Sequence, residues 1–423
     1  MSDQASFSIP ENAQADETTG RYIITFREDA VTEGLALLSD QTGIMGLASA
    51  ADFPDSALDF GQLEAAGGAV FPTLGVALVS LDEVGFSSIM TSAGGDSAIL
   101  AIEPESTFYA IEDELSADYL RGYRDAVDNL YKKATTTDSA GIGAQQCFAD
   151  DIGSTWGLKA TKAMNSLLTG NGMKIAVLDT GMDLLHPDFA GRSIVSQSFV
   201  PGEAVQDGMG HGTHCIGTAC GFKDLNGRRY GIAYKSTIYV GKVLSNAGSG
   251  ASGWIIAGME WAIANGCQVI SMSLGNTNPK PSIAYETVGR RALQNGCLIV
   301  AAAGNHGPGT VGQPANSPSI MAVAALDNCV QVPIFSSPSG VLTGAKVDIA
   351  APGVKVYSSL PMDKGRYAAW NGTSMATPHV AGIAALYAES TGKRGAQLWK
   401  LLTSHAMPLP LPTAVGSGLV QAP

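Results

Sequence analysis

Lys174-Ile175-Ala176-Val177-Leu178-Asp179-Thr180-Gly181 sets a short apolar run against an abrupt polar end closed by glycine. A run this short and this rich in Val, Ile and Ala reads as a strand covered on both faces. Three runs of the same texture follow, TIYVGKVL at 237–244, QVISMSL at 268–274 and CLIVAAA at 297–303. Helix-like stretches separate them. Strands alternating with helices predict an α/β fold, a three-layer α/β/α sandwich around a mainly parallel sheet. Two helix-to-strand joints share one device, Asn265-Gly266-Cys267 and Asn295-Gly296-Cys297, in which glycine takes the left-handed conformation that closes a helix.

An open parallel sheet presents its site at the carboxyl ends of its strands. Asp179-Thr180-Gly181, Ser273-Leu274-Gly275 and Gly304-Asn305 all stand at such ends. Taken singly, each is an ordinary turn. Two further segments change their weight. His211-Gly212-Thr213-His214 follows the glycine-rich stretch DGMG at 207–210 and opens a helix-like run of small residues. Asn371 to Gly382 (NGTSMATPHVAG) places Ser374 at a helix start, with Pro378 expected inside the first turn. A serine at a helix entry offers a hydroxyl and a backbone N–H that no intrahelical bond consumes. A nucleophile and an oxyanion donor require that pair.

The motifs Asp-Thr-Gly, His-Gly-Thr-His and Gly-Thr-Ser-Met-Ala-Thr-Pro-His resemble the three signature segments of the subtilisin family, in that family's own Asp, His, Ser chain order. The resemblance covers roughly residues 147–423. It implies a serine endopeptidase in which Ser374 attacks the peptide carbonyl, His211 carries the proton and Asp179 holds the imidazole. The Asn305 amide and the Ser374 N–H would bind the oxyanion. The resemblance also implies that Gly248-Ser249-Gly250 and Ser273-Leu274-Gly275 flank an extended polypeptide substrate, with Gly304 beside them. Gly312 would floor a pocket for a large apolar residue before the cut bond, and specificity would be broad. No cofactor is required for this chemistry. Asp188, Asp224 and Asn226 stand where the family often places ligands of a structural calcium ion, although Arg228 and Arg229 depart from the pattern. Cys215 follows the histidine motif as in the proteinase K branch and reads as a buried small hydrophobe.

Other readings of the same residues are weaker. An aspartic-protease loop needs a second Asp-Thr-Gly or Asp-Ser-Gly, and the chain has none. His211 and His214 lack a third metal ligand nearby, so His214 and His379 are expected to be structural. Two rivals keep the fold: a peptide ligase, in which an amine intercepts the acyl-enzyme, and a silent binding protein with its cleft permanently filled.

The first third has a different texture. Residues 1–20 read as a flexible tail. Residues 21–111 read as a small α+β, ferredoxin-like unit in strand–helix–strand–strand–helix–strand order, with Tyr22, Ile24 and Phe26 alternating on one strand. Helices are expected at 31–39 and 82–92, strands at 74–81 and 98–103. This unit resembles the inhibitory propeptide of extracellular subtilisins, so the chain is expected to be a self-inhibited zymogen. Residues 112–146 read as a helical linker containing the processing region, and 147–423 as the catalytic domain.

The net charge of −13 repels phosphate backbones and anionic lipid, so neither nucleic acid nor a membrane is an expected partner. The first twenty residues have no basic start and no apolar centre, hence no secretory signal. A cytoplasmic location or another export route is expected, or alternatively secretion with the leader absent from this chain, for a protein acting as a monomer. Six cysteines imply no disulfide framework and are expected to be mostly thiols, and a Cys267–Cys297 bridge is left open.

Overall fold

A computed structural model describes residues 18–50, 67–93, 96–111, 147–307, 309–340 and 344–423. The expected tail up to residue 17 and the expected linker over 112–146 lie outside the described residues.

The large sheet has seven strands: β6 (Lys174–Asp179), β7 (Ile194–Ser198), β8 (Thr237–Lys242), β10 (Val269–Met272), β12 (Leu298–Ala302), β13 (Met321–Leu326) and β14 (Ile349–Pro352). They lie in the order β14-β13-β12-β10-β6-β8-β7, and every adjoining pair is parallel. Side chains alternate across the sheet as the pleat requires. Ile175 and Val177 enter one core with Ile216 and Val380, from helices α4 (His211–Cys220) and α7 (Thr373–Thr391). Ala176 and Leu178 enter the other with Ile255 and Val288, from α5 (Ser252–Ala264) and α6 (Ile283–Gln294). Those are the three layers expected. Among the described residues no helix is long and apolar enough to cross a membrane.

The N-terminal unit runs β1 (Thr18–Phe26), α1 (Val31–Thr42), β3 (Gly68–Phe71), β4 (Val76–Ser80), α2 (Glu83–Thr91) and β5 (Ile99–Ala110), with a two-residue β2 (Ala48–Ser49) at the edge. The antiparallel order is β5-β1-β4-β3. One difference from expectation matters most. The strand expected at 98–103 continues to Ala110, and its far end leaves its own sheet. There it pairs with β9 (Ser249–Ala251) on one side and β11 (Leu274–Gly275) on the other, antiparallel to both.

Four cysteines, Cys215, Cys220, Cys267 and Cys297, are buried thiols, so the open Cys267–Cys297 question resolves as unbridged. Cys147 and Cys329 form a disulfide that closes a loop across a sequence separation of 182. Closing so long a loop removes much chain entropy from the unfolded state. Cys329→Ser is expected to lower unfolding free energy by about 2–4 kcal/mol, read from guanidinium titrations. An unchanged midpoint would show the bridge to be dispensable.

Candidate active site

Asp179 is the last residue of β6 and His211 the first of α4. Asp179 Oδ1 lies 2.7 Å from His211 Nδ1 and also accepts the N–H of Thr180 at 2.7 Å. Both side chains are buried. Burial alone would push the imidazolium of His211 down, but the carboxylate of Asp179 reverses this and holds it well above the ordinary value of 6.5. His214, one turn along, donates from Nε2 toward the carbonyls of Val356 and Ala368 and stacks on Trp370 at 4.8 Å. Burial drops it to about 3, and His379, held at Met375 O, to about 4. Both are neutral structural histidines, as expected.

Ser374 is the second residue of α7. The helix begins at Thr373, so Pro378 lies beyond the first turn, not within it as expected. Proline has no N–H to give the carbonyl of Ser374. The Ser273 hydroxyl fills that vacancy at 2.8 Å, with the Cys215 thiol at 3.6 Å. The proline thereby locks the helix that carries Ser374 to the loop after β10.

Asn305 follows β12. Its Oδ1 accepts both the N–H and the hydroxyl of Thr373, each at 2.9 Å. With the carbonyl end committed to two donors, Nδ2 is turned the other way, to 3.4 Å from Ile111 O. Gly372 makes room for this. Its φ is 147°, and a Cβ there would come within 3.1 Å of Asn305 Nδ2.

The cleft between β9 and β11 holds residues 107–111. Tyr109 pairs with Ser249 and Gly275, Phe108 with Gly250, and Ala110 with Leu274. The Ala110 N–H donates to Gly248 O at 2.8 Å and the Ile111 N–H to Ser273 O at 3.3 Å. A Cβ on Gly250 would lie 2.1 Å from Val243 O, so glycine lets β9 pack this close to the residue after β8. Ile111 seats its side chain against Gly275, and Gly312 packs on Asn276 next to it. Gly304 donates to the Thr373 hydroxyl at 3.2 Å. The chain thus ends this pairing with Ile111 O at 2.7 Å from Ser374 Oγ. Ser374 Oγ also lies 3.1 Å from Ser273 O, while His211 Nε2 is buried without a hydrogen-bond partner. The hydroxyl is turned to the carbonyl, not to the imidazole.

Residues 170–414 match the Subtilase family. The chain belongs to the subtilase family. It is 46% identical over 235 residues to a subtilisin of Bacillus pumilus, covering 54% of this chain and 81% of that one. Subtilisin E of Bacillus subtilis is 46% identical over 235 residues, which is 58% of its length. Subtilisin Savinase of Lederbergia lenta is 43% identical over 272 residues, 63% of this chain and 96% of that one. This subtilase is therefore a serine endopeptidase of the subtilisin type, a class that needs no cofactor for its reaction.

Calcium does not fit the residues expected to hold it in this subtilase. Asp188 accepts the hydroxyls of Tyr230 at 2.7 Å and Tyr367 at 2.9 Å. Asp224 accepts the N–H groups of Asn226 and Arg228, the Arg228 Nε at 3.3 Å and the Tyr357 hydroxyl at 3.1 Å. The backbone of Asn226 thus serves Asp224 as a donor. Arg228 lies 3.7 Å over the Tyr357 ring and 3.7 Å from Asp150. A guanidinium and three tyrosines occupy the lone pairs a hard cation would need. The departure noted at Arg228 is the reason. The donor atoms of Asp179, His211 and Cys215 lie within 4.8 Å of one another, but Asp179 and His211 are bonded to each other there.

Sequence reasoning missed Ile111, Thr373 and Asp207, whose carboxylate accepts the N–H groups of Gly210 and Thr213 at the start of α4. The Gly-Thr-Ser motif contained Thr373, and the acidic residue before DGMG's glycines was visible. Nothing local marked Ile111. Asp224→Asn is expected to cost about 1–3 kcal/mol, equally in calcium and in excess chelator. A loss confined to calcium-containing buffer would return the site to the ion.

Proposed function

We propose that Asp179, His211 and Ser374 form the charge-relay triad of a self-cleaving zymogen, with residues 18–111 as its inhibitory propeptide and Ile111–Glu112 as the bond cut. One observation carries this reading: the carbonyl of Ile111 meets both the Ser374 hydroxyl and the Asn305 amide. Those are the groups that attack a scissile carbonyl and stabilise the charge it gains.

In this reading Ser374 Oγ rotates toward His211 Nε2, gives up its proton and bonds to the Ile111 carbonyl carbon. His211 then passes the proton to the departing amine of Glu112, and water hydrolyses the acyl-enzyme. Asp179 fixes the imidazole tautomer through Nδ1 and stabilises its cation. Asn305 and the Ser374 N–H take the oxyanion. Losing the Asn donor costs about 10²–10³ in turnover, a magnitude that comes from subtilisin itself.

The unit's docking supports inhibition. Glu103 caps α6 from outside, accepting the N–H of Ile283 and Ala284 and the Ser282 hydroxyl. Glu105 does the same for α5 through Gly253. Glu260 of α5 returns the contact, accepting the N–H groups of Thr73 and Leu74. Two helix N-termini and one turn are thus satisfied across the interface.

Other polypeptides would bind as residues 107–111 do, by backbone pairing that reads little sequence. Two side chains set a preference. Ile111 is apolar and nearly buried before the cut bond, and Phe108 is fully buried edge-on to Tyr285 at 5.2 Å.

Wild-type precursor is expected to yield a mature chain beginning at Glu112, by N-terminal sequencing, and to label with a fluorophosphonate after processing. Ser374→Ala is expected to do neither. Processing at the wild-type rate in Ser374→Ala would refute self-cleavage. Absence of labelling even after limited proteolysis of the wild type would mark a silent binder.

Only neutral imidazole accepts a proton, and His211 is held charged above the usual histidine range. The acid limb of kcat/KM is therefore expected above pH 6.5, and Asp179→Asn to move it downward while lowering kcat. An acid limb that ignores Asp179→Asn would remove His211 as the base.

A further inference from the structure

Thr180, the first residue past β6, is bonded through each of its polar atoms. Its N–H donates to Asp179 Oδ1 at 2.7 Å. Its hydroxyl donates to Asp207 Oδ1 at 2.9 Å and accepts the Gly212 N–H at 2.9 Å. Its carbonyl accepts Lys242 Nζ at 2.6 Å. One small side chain therefore joins the strand that carries Asp179 to the helix that carries His211.

Asp207 is equally committed. Oδ1 also accepts the N–H groups of Met209 at 3.1 Å and Gly210 at 2.7 Å. Oδ2 accepts the N–H and the hydroxyl of Thr213 at 2.8 and 2.7 Å. The N-cap position of α4 is Gly210, which has no side chain to cap the helix, and Asp207 supplies the missing acceptor from outside. A carboxylate there also meets the positive end of the helix dipole. Lys242, wholly buried at the end of β8, also reaches Asn246 Oδ1 at 2.9 Å and pairs with Glu203 Oε2 at 3.2 Å.

The packing leaves no slack. A Cβ on Gly212 would lie 2.2 Å from Gly181 O, so strand end and helix start touch backbone to backbone. We infer that Asp207, acting through the Thr180 hydroxyl, is the positioning residue that sets the separation of Asp179 and His211. A residue that merely capped α4 would need no bond to Thr180. The bridge is what ties the two elements in register. The inference rests on reading Asp179 and His211 as catalytic.

The charged and titratable groups facing His211 are Asp179 from β6 and Cys215 and His214 from its own helix, while Asp207 is bonded to the backbone of Gly210, the residue before it. Removing the negative charge of Asp207 leaves the imidazolium less favoured. A displacement of about 1 Å between reacting groups can cost about 10² in rate.

The test compares Thr180→Val, which keeps the shape and loses the hydroxyl, with Thr180→Ser, which keeps the hydroxyl. Both are assayed as mature enzyme on a chromogenic peptide, with Asp207→Asn alongside. Thr180→Val is expected to lower kcat about 10²-fold with KM within about twofold, the pattern of lost transition-state positioning. Thr180→Ser should stay within about threefold of wild type, and Asp207→Asn should shift the acid limb of kcat/KM to lower pH. Equal kcat for the valine and serine variants would overturn the inference, as would a loss carried wholly by KM or an acid limb unmoved by Asp207→Asn. Melting temperatures of the same changes in a Ser374→Ala precursor separate folding from positioning. A fall in kcat that merely tracks a fall in melting temperature would count against the bridge. If the valine precursor does not fold, the acid limb of Asp207→Asn decides. Full activity in Ser374→Ala alone would instead sink the catalytic reading itself.

Discussion

The backbone of residues 107–111 lies between β9 and β11 and hydrogen-bonds to both. Without it, each of those short strands presents an open edge on that side, a row of unpaired N–H and C=O groups. With it, the two units share one continuous sheet. The slot accepts an extended chain in one direction because both pairings are antiparallel. Direction and register together bring Ile111 O to Ser374. In the proposed reading the contact that silences the cleft is also the contact that presents a bond to Ser374, and both follow from sheet geometry rather than from side-chain recognition.

The surroundings of Ser374 are built from vacancies filled by neighbours. Pro378 withholds an N–H, so the Ser374 carbonyl is free to take the Ser273 hydroxyl. Thr373 spends both its donors on Asn305 Oδ1, which aims the amide N–H at the cleft. Donors fixed before the reaction begins need no reorganisation when charge develops. The same economy appears at α4, where Asp207 caps a helix whose own N-cap glycine cannot.

Charge inside the molecule is balanced by side chains at the places considered for an ion. Arg228 lies against Asp224 and Asp150, while tyrosine hydroxyls take up Asp188. Lys242 does the corresponding service near Thr180 and Glu203. Stability in the loop at 224–228 therefore depends on a guanidinium that is part of the fold, and cation–π contact with Tyr357 adds to it.

Much was legible in the sequence because it is local. Apolar runs of strand length, glycine-closed helix ends and the polar strand termini at Asp179, Ser273 and Asn305 reflect backbone sterics and burial, which adjacent residues decide. The three-layer sheet and the grouping of Asp179, His211, Asn305 and Ser374 at one edge of it followed from them. The tertiary structure alone decided what depends on contacts distant in the chain. The continuation of β5 to Ala110 owes nothing to its own composition, since its partners are β9 and β11. A pairing such as Cys147–Cys329 leaves no periodic trace. The fate of Asp188 and Asp224 turned on tyrosines more than a hundred residues away. Sequence names the groups that can bond, whereas only the packed chain settles which of the available donors reaches each acceptor first.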